Sequence, residues 1–168
     1  VIFNGSFVSA RGIKSGIEVS LDDKIFSLDV FKARKTPARR SFNRGIEILK
    51  TNFRYDSENN LSFYLSKDES ELFLRKLRKL DRRVSAIINA PLSTRSVETL
   101  LNISAEECRR WTKTGKLPCT AKITSARTEN VFSVNVFSPS MIQNLLSNPK
   151  IITEWRLHEI DHSVGEGE

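Results

Sequence analysis

The spacing of apolar side chains divides the chain into three stretches of different periodicity. Through the first 65 residues Phe, Val and Ile recur at short intervals between turn-forming residues, which predicts strands over Ile2 to Val8, Gly16 to Leu21, Lys24 to Phe31 and Leu61 to Leu65. Asp22-Asp23 and Asn59-Asn60 are the expected turn tips. Eight of the ten Phe residues fall in 1–73, so this part is expected to hold a core of its own. Ala38 to Phe53 fits either period, because Ile46, Ile48 and Leu49 satisfy both, and helix and strand stay open there.

From Ser66 the period lengthens. Ser66 and Glu69 make a capping-box pair, and Leu74, Leu77, Leu80, Val84 and Ile87 follow at helical spacing until Pro91. The other face of that helix carries a row of cations, of which Arg75, Lys79, Arg82 and Arg83 are candidate phosphate contacts. A solvated face suited to the helix dipole is the alternative for the same row.

Residues 92–147 combine several terminus signals. Ser96 to Leu101 predicts a short helix, Asn102 a tight left-handed turn, and Ser104 with Glu107 a capped second helix whose Cys108 and Trp111 face inward. Gly115 and Leu117-Pro118 end it. After Pro118 the period becomes two, in runs over Ala121 to Ile123 and Val131 to Val136 joined by the polar tip Ser125 to Asn130. Ser138-Pro139 starts a further helix with an apolar stripe of Met141, Ile142, Leu145 and Leu146. Asn148-Pro149 stops it, and a C-terminal helix with an acidic tail is expected over 148–168.

Composition narrows what such a chain does. With 168 residues, 39% apolar and 28% charged, it is one or two folded domains. No stretch has the length of a membrane helix and no signal peptide is visible, so a cytoplasmic protein without a membrane partner is expected. A chain beginning on Val1 is expected to be a fragment or a processed product. Cys108 and Cys119 fit neither a disulfide scaffold nor a CxxC-type zinc site, and free thiols are expected. The net charge of +7 favours a polyanionic partner. It is unevenly spread: residues 32–54 have 8 basic against 1 acidic group and 75–95 have 7 against 1, while 151–168 have 1 against 5.

The run Ser96-Val97-Glu98-Thr99-Leu100-Leu101-Asn102-Ile103-Ser104, then Cys108-Arg109-Arg110-Trp111 and Gly115-Lys116-Leu117-Pro118, resembles the winged helix-turn-helix domains of the excisionase-like and MerR-like group. The resemblance takes in Val134-Asn135-Val136-Phe137-Ser138 and covers about a third of the chain. It implies binding of double-stranded DNA, with the second helix in the major groove and the hairpin as a wing. It places Arg109 and Arg110 at base or phosphate contacts, Lys113 and Lys116 beside passing phosphates, and Ser104, Arg95 and the wing-tip Arg127 within the same interface. Glu98, Glu106 and Glu107 depart from the group's pattern. Glu107 is accounted for as the cap partner of Ser104, and Glu106 as an acceptor for a cytosine amino group.

The expected architecture is therefore α+β: a β-rich N-terminal subdomain over 1–65, a basic amphipathic connecting helix over 66–90, a winged helix-turn-helix over 92–147 and the C-terminal segment. The expected function is sequence-selective DNA binding, as a transcriptional regulator or an accessory factor in recombination, transposition or replication. The N-terminal subdomain would serve homodimerisation, docking of a protein partner or a second DNA contact, and these stay open. The alternative is a winged-helix module that docks protein in a larger assembly.

A catalytic signal competes. His158-Glu159-Ile160-Asp161-His162 is a literal HExxH and resembles the HEIDH of peptide deformylases. That pattern takes its third ligand from a Gly-Cys-Leu-Ser segment and has a GxGLAA stretch upstream, both of which this sequence lacks. His158 is instead expected to pack beside Ile151 and Trp155, with His162 solvated. Asp22, Asp23 and Asp29 near Lys32 are a looser carboxylate cluster, expected to be turn residues. No enzymatic activity, metal or cofactor is expected.

Overall fold

The computed structural model describes residues 2–14, 16–55, 62–64, 69–127 and 130–164, with backbone alone at 54–55, 62–64, 122–127, 130–133 and 160–164. The chain forms two compact units, residues 1–89 and 90–168. Both mix helix and strand.

In the first unit β1 (Phe3–Asn4), β2 (Val8–Ile13), β3 (Gly16–Leu21), β4 (Arg54–Tyr55) and β5 (Ser62–Tyr64) make an antiparallel sheet in the order β1-β2-β3-β5-β4. The register pairs Val8 with Leu21 and Ala10 with Val19, which turns Val8, Ala10 and Val19 to the buried face. The intervening positions face outward, where Ser9 hydrogen-bonds Ser20 at 2.9 Å and Arg11 pairs with Glu18. The strand expected over Ile2 to Val8 is thus two strands with a turn between them.

Lys24 to Phe31 is not a strand. Asp22 accepts a hydrogen bond from the Lys24 amide at 3.0 Å and opens a 3-10 turn over Asp23–Ser27, followed by the short helix α1 (Asp29–Lys32). Phe26, Val30 and Phe31 are the buried positions, a one-sided spacing that a helix satisfies and a pleated strand does not. Asn59-Asn60 lies outside the described residues.

The ambiguous segment is helical: α2 (Lys35–Asn52) buries Ala38, Phe42, Gly45, Ile46 and Leu49. It packs against α3 (Ser70–Ile88), whose Phe73, Leu77, Leu80, Val84 and Ile88 complete the core, with the Phe73 ring edge-on to Phe53 at 5.2 Å. A Cβ at Gly45 would fall within 3.0 Å of two Leu80 carbons, so glycine there sets how closely the helices approach. The Arg34 guanidinium donates to the carbonyl of Ile88 and so binds a last-turn acceptor of α3. Two expectations change. An 18-residue helix lies within the stretch expected to be β-rich, and α3 belongs to the first unit rather than connecting two parts. Helix α3 begins at Ser70; Ser66, its expected cap, lies outside the described residues.

The second unit runs β6 (Leu92–Ser93), α4 (Thr94–Leu101), α5 (Ala105–Lys113), β7 (Ala121–Arg127), β8 (Asn130–Phe137), α6 (Pro139–Ser147) and α7 (Pro149–Val164), with a sheet ordered β6-β8-β7. Asn102 has φ 52°, the left-handed turn its position predicts, and Ser104 with Glu107 forms the reciprocal capping box. The Leu117 amide donates to the Trp111 carbonyl at 2.9 Å just past Gly115. Ser93, not anticipated as a cap, accepts from the Ser96 amide at 3.2 Å and starts α4 two residues early. Strands β7 and β8 extend to Arg127 and Asn130, further into the expected tip. Val97, Leu101, Ile103, Cys108, Trp111, Leu117, Phe137 and Ile142 are buried together. Among the described residues no helix is long and apolar enough to cross a membrane.

Candidate nucleic-acid interface

The second helix of the helical pair, α5, divides its outward residues between two tasks. On one side lies α7. Trp111 Nε1 donates to Glu159 Oε1 at 2.6 Å, and the Trp111 and Trp155 rings meet edge to face at 5.0 Å. Arg110 donates to Glu159 Oε2 at 2.8 Å and lies 3.4 Å from Glu106 one turn earlier. Arg156 of α7 donates to Glu107 at 2.6 Å and to the Asn102 carbonyl at 3.1 Å, so a single guanidinium ties the α4–α5 turn to α7.

The other side is open. Arg109 and Lys113, four residues apart, are exposed and have no ion-pair partner among the described residues. Lys116 is half-buried beyond the helix end, and Arg95 is exposed on α4. Ser104 is committed as a cap, its hydroxyl accepting from the Glu107 amide at 3.0 Å. Arg127 ends β7, and its side chain lies outside the described residues.

Glu107 is held well below the usual carboxylate range. The hydrogen bond from Arg156 is the main cause; burial opposes it, the Ser104 amide reinforces it, and the carboxyl is held down at about 2 from an ordinary 4.5. Because the folded-state value is depressed, the pair contributes stability above pH 4.5 and loses it as the pH falls from 4.5 toward 2. Arg156 is 44% exposed, so solvent screening reduces the contribution to on the order of 1 kcal/mol. Glu107→Gln is expected to flatten the acid limb of unfolding followed by Trp fluorescence, which reports this unit because Trp111 and Trp155 both lie in it. Parallel acid limbs for the two proteins would show that the pair contributes nothing.

Of the HExxH residues, the structure describes the side chains of His158 and Glu159. Glu159 accepts from both Trp111 and Arg110. His158 is exposed, contrary to the expectation that it packs beside Ile151 and Trp155; the inward positions of α7 are Ile152, Trp155 and Glu159. The His162 side chain lies outside the described residues. Asp22 caps a turn, Asp23 pairs with Arg39, and Asp29 pairs with Lys32 at 2.5 Å. Among the described residues no group of three His, Cys, Asp or Glu side chains could hold a metal ion. Both cysteines are free thiols, and burial, then the charge of Glu98, pushes the Cys108 thiol up.

The first unit carries the larger cationic surface. Arg75, Lys79, Arg82 and Arg83, the candidate phosphate contacts of α3, line one side of a groove whose other wall is α2. The groove holds about 580 Å³ above an apolar floor that includes Ile48, Leu49, Leu72 and Leu80. An adjoining hollow of about 680 Å³ is lined by Arg40, Ser41, Arg44, Ile48 and Arg83. Sequence reasoning missed Arg40 and Arg44 because α2 fitted two periods. Their spacing of four residues is the signal once a helix is accepted.

No family model, no curated protein and no solved structure matches this chain.

Proposed function

We propose that the second unit is a winged helix-turn-helix that binds duplex DNA, with α5 in the major groove and the β7–β8 hairpin as the wing. One observation carries the reading: α5 follows a left-handed Asn102 turn, and the side it leaves uncovered by α7 bears Arg109 and Lys113 without acidic partners among the described residues. Arg109 is the candidate base contact, since an exposed guanidinium matches the paired acceptors of guanine. Lys113, Lys116, Arg95 and Arg127 contact phosphates. Arg110 positions α5 against α7 instead of reading bases, because Glu159 and Glu106 already hold it. The group this unit resembles makes a regulator or an accessory factor of recombination, transposition or replication the setting.

Selection of binding sites from a random duplex library is the test. An enriched motif is expected, with Arg109→Ala weakening the selected site by about 1–3 kcal/mol, roughly 5- to 150-fold, and relaxing one base position. A library that yields no enrichment would overturn the assignment. It would favour protein docking, the reading to which the commitment of Glu107 and Arg110 to α7 lends support.

A further inference from the structure

We infer that the groove between α2 and α3 is a second nucleic-acid contact, one that holds the phosphodiester backbone without reading bases. It extends the function proposed above to the first unit and does not depend on it. Arg75, Lys76, Lys79, Arg82 and Arg83 from α3 line the groove, Arg40 and Arg44 from α2 line the adjoining hollow together with Arg83, and among the described residues no acidic side chain lines either hollow. None of these seven cations has an ion-pair partner among the described residues, whereas Arg11, Lys32, Arg39 and Lys50 of the same unit are all paired. Seven of the fifteen basic residues of 32–54 and 75–95 thus line two adjoining hollows.

That arrangement is unfavourable on its own. Arg75, Lys79 and Arg83 follow one another at four-residue spacing, where like charges repel. A dense polyanion relieves the repulsion. Arg75 and Arg83 are separated by about 12 Å of helix axis, and over that length a DNA duplex carries about seven negative charges, close to the number of cations available. A bilayer surface would meet the rims of a concave groove and leave its floor uncovered. A nucleic-acid strand can enter it, with sugar and base faces against Ile48 and Leu72, which are 44% and 36% exposed.

The experiment uses the full chain, with affinity for a random-sequence 30-mer duplex, a single strand of equal length and phosphatidylserine vesicles read across a salt series. Arg40→Ala/Arg44→Ala and Lys79→Ala/Arg82→Ala each remove two exposed cations; Lys14→Ala/Lys24→Ala removes two outside the groove and controls for net charge. Each groove double variant is expected to lower the slope of log affinity against log salt by about 2 on nucleic acid, with the control unchanged. The duplex and single-strand arms show which form the groove prefers. Equal losses in the control pair, unchanged slopes in the groove pairs, or loss of vesicle binding with nucleic-acid binding intact would each overturn the inference. Arg109→Ala separates the two units: a failed site selection beside a lowered groove slope removes the α5 reading and leaves this one standing.

Discussion

Asp81→Ala is expected to destabilise the first unit by about 3–5 kcal/mol. Asp81 is 9% exposed and the one acid in a stretch of α3 otherwise rich in cations. Its carboxylate accepts three backbone hydrogen bonds from the β1–β2 turn: Ser6 at 3.0 Å on Oδ2, and Phe7 at 2.9 Å and Val8 at 3.0 Å on Oδ1. Removing it leaves three amides without their acceptor, and a bond to a charged group is worth more than a neutral one. Asp81→Asn should cost less, because one oxygen can still serve Phe7 and Val8 while the new amino group faces the Ser6 donor.

Gly5 supplies an internal control. A Cβ there would stand 2.5 Å from the Asp81 Cγ, so Gly5→Ala should displace the carboxylate and destabilise the unit in the native background. In the Asp81→Ala background the same change should cost far less, giving a large coupling energy in a double-mutant cycle. Urea unfolding by circular dichroism supplies the free energies, and amide exchange at Ser6 to Val8 locates the effect. A loss under about 1 kcal/mol with unchanged protection would sink the view that α3 anchors the turn.

Trp111→Ala is expected to cost the second unit about 3–5 kcal/mol, the range for truncating a buried aromatic. Trp111 is fully buried, packs edge-on to Trp155 and donates to Glu159. The substitution combines a cavity with a lost charge-assisted bond between α5 and α7. Trp111→Phe keeps most of the volume and should cost about 1–2 kcal/mol, chiefly the bond to Glu159. Chemical unfolding of both variants, with Glu159→Gln beside them, separates volume from hydrogen bonding. If Phe costs as much as Ala, the Glu159 bond and not the packing is what matters. In either case α5 loses its seating, so the site selection proposed for Arg109 should weaken without any change in the residues proposed to face DNA.

Much of the second unit follows from local chemistry. Asn102 tolerates the left-handed conformation, Ser104 and Glu107 close a box within four residues, and Ser138-Pro139 fits a helix start. Each signal acts over a few residues, so sequence suffices to find it. Lys24 to Phe31 was misleading because Phe, Val and Ile favour strands in general, while the cap by Asp22 and the one-sided burial of Phe26, Val30 and Phe31 decide for turn and helix. Asp81 could have been suspected, since it falls four residues after Leu77 on the apolar stripe of α3. Its partners, about 75 residues away, could not.

The same division holds for the candidate sites. Sequence alone determined that the chain is basic, where its positive blocks lie, and that Arg109 and Lys113 share a helix side, because charge and helical spacing are local properties. Only the tertiary structure decided which cations are free. It commits Arg110 to Glu159 across 49 residues, turns the HExxH glutamate into a hydrogen-bond acceptor for Trp111, and brings Arg40 and Arg44 into one hollow with Arg83 of α3. Whether a charge can meet a ligand depends on what the fold has already placed beside it, and such long-range pairing leaves no periodic trace in the chain.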